Sequence, residues 1–196
     1  MRVLVIQAHP VVDSFNAALF STAVDALNAG GHEVRGHRLY DEGFRAAMST
    51  AERLAYHSDQ PVLDPLVARH ADDVRWAEAL VFVYPTWWAG LPAVLKGWLE
   101  RVLVPGVAFH LDEHTNKVQA GLRHVRRIVG ISTYGSSRAY VMLMNDAGRR
   151  TLLRALRMLC ARTTRTTWLG LYALDGATDE QRRAFLARVE QKLRAL

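Results

Sequence analysis

An open, doubly wound α/β sheet is the fold class that the 196-residue sequence predicts, and three observations predict it. Apolar runs such as "RVLVIQA" and "ALVFVYP" have the pattern of strands buried on both faces. Segments with apolar residues at helical spacing lie between them. Five strands then alternate with helices along one chain, which implies parallel pairing through right-handed crossovers.

The first strand, "RVLVIQA", is followed by "SFNAALFSTAVDALNAGG", where Phe15, Ala18, Leu19, Thr22, Ala23, Ala26 and Leu27 fall at helical spacing before a Gly30-Gly31 stop. "HEVRGHRLY" reads as the second strand. Residues 41 to 66 have weak periodicity and two prolines, and predict loops with short helical pieces. A helix over Val67 to Trp76 leads to the third strand, "ALVFVYP". A further helix begins near Pro92, a residue suited to a first turn because its missing N–H costs nothing there. "GVAFHLDEHTNKVQAG" reads as a loop and "VRRIVGISTYG" as the fourth strand. A helix from Asp146 to Ala161, a fifth strand "TTWLGLYAL" and a final helix from Thr178 complete the order. With no internal repeat and no linker rich in Pro, Gly or Ser, residues 1–196 read as a single domain.

Composition narrows the function classes. No run of about 18 or more apolar residues occurs, and "MRVLVIQAHPVVDSF" turns polar too early for a secretory leader, so a cytoplasmic protein is expected. One cysteine, Cys160, excludes an internal disulfide framework and reads as a core thiol. The net charge of +6 is concentrated in "GRRTLLRALRMLCARTTR", where Arg150, Arg154 and Arg157 oppose Leu152, Leu156 and Leu159. That is the pattern of a solvated helix face, and nucleic acid is not an expected partner.

In sheets of this class ligands bind beyond the carboxyl ends of the strands. Three loops leave those ends with unusual sequences. "AHPVVDSFN" carries Ser14 and Asn16 to the mouth of a helix, where free N–H groups and the helix dipole favour an anion, with His9 as an added donor; Ser14 also reads as a plain N-cap. "YPTWWAGLP" offers Trp87 and Trp88 as flat walls, or as core and interface residues. "STYGSSRAY" presents hydroxyls and N–H groups suited to a polar planar ring. Neither a glycine-rich dinucleotide fingerprint nor a Walker lysine is present. The convergence indicates a phosphate joined to a planar ring system, which a flavin presents. His110 and His114 in "HLDEH" have metal-ligand spacing, but the segment reads as a loop without further ligands, and no metal is expected.

"FVYPTWWAGLPAVLKGWLERVLVPGVAF", with "AHP" before "SFN" and "STYG" before Tyr140, resembles the flavodoxin-like NAD(P)H:quinone oxidoreductases, the DT-diaphorase relatives. The resemblance implies a flavodoxin-like five-stranded parallel sheet of order 2-1-3-4-5. It implies a flavin, FMN or alternatively FAD, that takes a hydride from NAD(P)H and returns it to a quinone or similar acceptor. It implies that His9, Ser14, Phe15 and Asn16 hold the flavin phosphate, and that Pro85, Thr86, Trp87, Trp88 and Ala89 line the ring and ribityl chain. Ser132, Thr133, Tyr134 and Gly135 match the loop beside the polar ring edge, Tyr140 the tyrosine that takes part in hydride transfer, and Phe109 and Leu111 the quinone-side positions. A homodimer with sites at its interface is implied too.

The chain departs from the family pattern at Asp146, where a histidine relays charge in relatives; an ionised aspartate opposes negative charge on a reduced flavin. Leu111 and Ala89 replace bulkier residues. Two other readings are a flavodoxin-type electron carrier, which a basic chain suits poorly, and a soluble regulatory subunit of a potassium efflux transporter, its only route to a membrane.

Overall fold

The structure is a computed structural model that describes residues 1–112, 115 and 117–196. Its centre is a parallel sheet of β1 (Arg2–Gln7), β2 (Glu33–Arg38), β3 (Ala79–Pro85), β6 (Arg127–Thr133) and β7 (Arg165–Leu171), in the order β2-β1-β3-β6-β7. β4 (Phe109–Leu111) and β5 (Val118–Ala120) form a separate antiparallel ribbon.

That ribbon corrects the expected strand order. The segment read as a loop contributes two short strands, so counting along the chain gives 2-1-3-6-7 rather than 2-1-3-4-5. The five parallel strands keep the expected neighbours, because the ribbon is inserted between β3 and β6 without joining their sheet.

Alternation along each strand separates two cores. Leu4, Ile6, Leu80, Phe82 and Ile128 point to one face, which α3 (Pro65–Trp76), α4 (Ala93–Val102) and the helical stretch 147–159 cover. Val3, Val5, Val81, Val83, Val129 and Ile131 point to the other, covered by α1 (Phe15–Ala29) and α7 (Asp179–Arg194). Gly130 makes room for Trp168 on the next strand: a Cβ there would lie 2.2 Å from the indole Cζ3. Gly97 does the same for the backbone of Ala46, whose oxygen would be 2.1 Å from a Cβ.

Local signals set the helix starts. Ser14 caps α1 through the N–H of Ala17, Asp64 caps α3 with Pro65 behind it, and Thr178 and Gln181 form a capping box on α7. The expected helix over 146–161 is broken into α6 (Ala147–Arg150), a π turn over Thr151–Ala155 and a 3-10 turn over Leu156–Leu159. Its sidedness is as expected: Leu152 and Leu156 are buried, while Arg150, Arg154 and Arg157 face water. α5 (Arg138–Leu143) was not expected.

Residues 41–66 include α2 (Thr50–Ala55) and are fastened to their surroundings by two ionic groups, a buried one on α4 and a partly buried one beside β2 and α3. Arg101 on α4 donates to Glu52 at 2.6 and 2.8 Å, to Asp64 at 2.8 Å and to the carbonyl of Arg45 at 2.6 Å. Glu42 accepts from His37 Nδ1 at 3.0 Å, from His70 Nε2 at 3.1 Å, from the N–H of Arg38 at 3.1 Å and from Arg69. His37 meets Asp73 through its other nitrogen at 2.7 Å. Burial opposes the charge of Glu42, but hydrogen bonds from His37 and His70 outweigh it and hold the carboxyl well below the usual range. Burial pushes His70 down, against the pull of Glu42.

Among the described residues no helix is long and apolar enough to cross a membrane. Cys160 packs in the core, where burial pushes its thiol up to about 12.

Candidate functional site

Parallel strands of similar length end together, so the loops that leave them share one edge. The N–H of Ala8 donates to Val83 O at 3.0 Å, that of Thr86 to Thr133 O at 2.7 Å and that of Tyr134 to Leu171 O at 2.9 Å, which aligns the ends of β1, β3, β6 and β7. Beyond them the loops enclose a cavity of about 910 Å³.

One end of the cavity is the start of α1. Its first intrahelical bond runs from Ala18 N–H to Ser14 O, and Ser14 Oγ takes the N–H of Ala17. The N–H groups of Phe15 and Asn16 precede these bonds and stand at the helix mouth. Asn16 is buried and lines the cavity; its carbonyl takes a bond from Gln7 at 3.3 Å, while its Nδ2 is left without a partner. An unpaired buried amide donor beside free N–H groups forms a cradle for anionic oxygen.

The opposite wall is a tight turn. Trp87 and Gly90 exchange two backbone bonds, of 3.2 and 2.9 Å, and between them Trp88 and Ala89 have φ of 49° and 56°. Two consecutive non-glycine residues in the left-handed region cost on the order of 1–3 kcal/mol each. The turn sends the two indoles to different places. Trp87 is 40% exposed and lies 5.9 Å from the ring of His9, whereas Trp88 is wholly in water.

The third wall follows β6. Tyr134 is buried, stacked on Tyr172 at 4.5 Å, and donates its hydroxyl to both oxygens of Asp146 at 3.0 and 3.1 Å. Burial, then the charge of Asp146, raise the Tyr134 phenol well above its ordinary value. Asn145 and Asp146 form a second left-handed pair, with φ of 66° and 38°. Asp146 caps α6 through Arg149 N–H and lines the cavity, so it faces the site and is already engaged by Tyr134. Tyr140, on α5, is 54% exposed at the rim.

His9, Ser14, Phe15, Asn16, Pro85, Thr86, Trp87, Trp88, Ala89, Thr133, Tyr134, Gly135 and Tyr140 all line this one cavity. Ser132 does not: it is buried behind the wall, its hydroxyl 2.9 Å from that of Thr86, where it supports the loop. Phe109 and Leu111 sit on the β4–β5 ribbon and are not brought to the cavity within the chain. Sequence reading missed Val141 and Met144 because it missed α5, and it missed Leu174 and Asp175. The last two follow β7, so the edge rule applied to the first, third and fourth strands also covers them.

His114 lies outside the described residues. Among the described residues, His37, Glu42 and His70 bring ligand atoms within 4.8 Å of one another. The Trp98 indole donates to His70 Nδ1 at 2.9 Å. An indole nitrogen only donates, so the proton of His70 is on Nε2, the atom a metal would need, and the group reads as a closed hydrogen-bond cluster.

Comparisons with known proteins agree with this geometry. The chain is 34% identical over 133 residues to the ribosyldihydronicotinamide dehydrogenase-like protein traD of Penicillium crustosum, covering 60% of this chain and 49% of that protein. It thus spans about half the length of that curated relative. Human ribosyldihydronicotinamide dehydrogenase [quinone] is 26% identical over 215 residues, covering 100% of this chain and 91% of that protein. The solved NAD(P)H:quinone oxidoreductase of Methanothermobacter marburgensis superposes with a TM-score of 0.79 at 24% identity, covering 99% of this chain and 96% of that one. The family described as having a flavodoxin-like fold matches residues 1–196. Sheet order, loop-built cavity and whole-chain match coincide, and the chain belongs to the flavodoxin-like fold family.

Proposed function

We propose that the chain is a single flavin-binding domain and a cytoplasmic two-electron reductase, which passes reducing equivalents from NAD(P)H to a quinone or similar acceptor through FMN. The observation that carries this reading is the chemistry of the cavity: an anion cradle at the mouth of α1 and aromatic walls, in a space of about 910 Å³. These residues fit a flavin phosphate joined to a planar ring. The quinone-reducing relatives support the acceptor class.

Bound there, a flavin would supply the two-electron exchange between nicotinamide and quinone. The protein's part is to bind and orient. The N–H groups of Phe15 and Asn16, the unpaired Asn16 Nδ2 and His9 would hold the phosphate. Trp87, Thr86 and Pro85 would cover the ring, and the backbone around Gly135 would offer N–H groups at its polar edge. Tyr140, half in water at the rim, would offer its hydroxyl to an entering substrate; that of Tyr134 is committed to Asp146. Phe109 and Leu111 would complete a quinone site across a homodimer, which the exposed apolar residues Val11 and Val12 of the loop after β1 and Met142 and Leu143 of α5 favour.

The test is steady-state oxidation of NADH and NADPH by flavin-reconstituted protein, with and without menadione. Quinone-dependent oxidation is the expected result; a yellow, folded protein that oxidises neither nucleotide would overturn the reading. Reconstitution with FMN and FAD in parallel, followed by measurement of both dissociation constants, tests the choice of flavin.

A further inference from the structure

The cavity has two electrically different ends. At the α1 end stand N–H donors and the positive pole of a 15-residue helix. At the α5–α6 end stands the carboxylate of Asp146; Asp175 follows β7 and also borders the recess beside Ser14 and Phe15, and among the described residues no lysine or arginine lines the cavity. Two neighbouring arginines are engaged elsewhere, and Arg138, the first residue of α5, is exposed. Arg149 meets Asp146 only through its backbone and sets its guanidinium 5.7 Å from the Trp168 ring. Arg182 lies in an adjoining recess with Asp13 and Asp175, bonded to Asp179 and to the Leu174 carbonyl.

Asp146 is also unusual in what it leaves available. A carboxylate offers about four lone-pair positions. The Tyr134 hydroxyl and the Arg149 N–H engage part of them. Because Tyr134 directs its proton at Asp146, its hydroxyl has none left to give a ligand. This wall therefore accepts hydrogen bonds and donates none through these two side chains. Trp87, partly exposed, borders the same cavity, and indole faces attract planar cations.

We infer that Asp146 makes the cavity selective by charge, so that planar substrates bearing a cation or N–H donors bind in preference to anionic ones of the same shape. For turnover the inference rests on the reductase reading; for binding it does not. A partly exposed charge pair is worth about three- to fivefold in affinity.

The binding test titrates flavin-loaded protein with the 1-methylnicotinamide cation and with neutral nicotinamide, read by tryptophan fluorescence. The expected result is about threefold tighter binding of the cation, a preference that fades in 0.5 M salt, where exposed charges are screened. Equal binding, or a preference indifferent to salt, overturns the inference with no variant needed. The turnover test compares kcat/KM for 1,4-naphthoquinone and its 2-sulfonate in the wild type and in Asp146→Asn. The ratio should move about threefold toward the sulfonate in the variant, and an unmoved ratio overturns the inference. Tyr134→Phe removes the hydrogen bond but keeps the charge, so loss of cation preference there would also contradict it. Should the wild type reduce neither quinone, the reductase reading falls, while the binding titration still decides the role of Asp146.

Discussion

Glu42 and Asn16 are both polar, both withdrawn from water and both beside the central sheet, yet their surroundings differ. Glu42 accepts from two histidines, an arginine and a backbone N–H. Asn16 holds one bond to Gln7, and both Asn16 Nδ2 and Gln7 Oε1 go unpaired. Among the described residues, none of the non-glycine residues with positive φ lies in the segment 33–76 around Glu42, whereas four of the five, Trp88, Ala89, Asn145 and Asp146, belong to turns that border the cavity. A saturated polar cluster stabilises a fold, and an unsaturated one beside strained backbone is set for a ligand. Arg38, with buried Nε and Nη2 unpaired, is the exception on the saturated side.

The comparison can be broken most severely at Arg101. Arg101→Ala leaves Glu52 and Asp64 without their cation, and a loss of about 3 kcal/mol is expected in urea unfolding. An unshifted midpoint would mean that the network contributes nothing.

Acid attacks the same side less abruptly. The folded-state pKa values of His70 and Glu42 both lie below their ordinary values of 6.5 and 4.5. The unfolded chain therefore binds more protons as pH falls. Stability from these groups is complete at neutral pH, begins to decline below about 6.5 through His70, and declines again below about 4.5 through Glu42. Thermal melts from pH 7.5 to 4 check this, and His70→Gln should flatten the upper part of the decline.

On the cavity side the consequences should reverse. Asn16→Ala is expected to weaken flavin binding about tenfold, the worth of one charge-assisted hydrogen bond, while unfolding without flavin shifts by only about 1 kcal/mol, because loss of the acceptor for Gln7 is partly offset by removal of the unpaired Nδ2. Fluorescence titration and urea melts on one preparation separate the two effects. The smallest effect belongs to the turn. Ala89→Gly relieves a left-handed alanine and should stabilise the flavin-free protein by about 0.5 kcal/mol, since glycine's lost chain entropy offsets part of the relief.

The sheet was legible in the sequence because strands buried on both faces leave long apolar runs, and β1, β3 and β6 are of that kind. The site loops were legible because the fold class says where to look. α5 was not, since Met142 and Leu143 face water and hide its periodicity. The β4–β5 ribbon was too short, with three residues in each strand and exposed Leu111 and Val118. The orientation of Asp146 depends on a left-handed backbone at Asn145 and Asp146 that no residue pattern announces. The same holds for the parting of Trp87 and Trp88, which adjacent letters in a sequence do not reveal.

The pairing of α1 with α7 over one face of the sheet has a consequence for synthesis. Leu19, Ala23 and Leu27 share a core with Phe185, Val189 and Leu193. A ribosome making the chain releases α1 early and α7 only after every sheet strand has emerged. Through that interval the apolar stripe of α1 and the adjoining edge of the sheet have no cover from α7. The nascent protein completes its other face first, and a chaperone that masks aliphatic helix faces would find its client in that half-closed form.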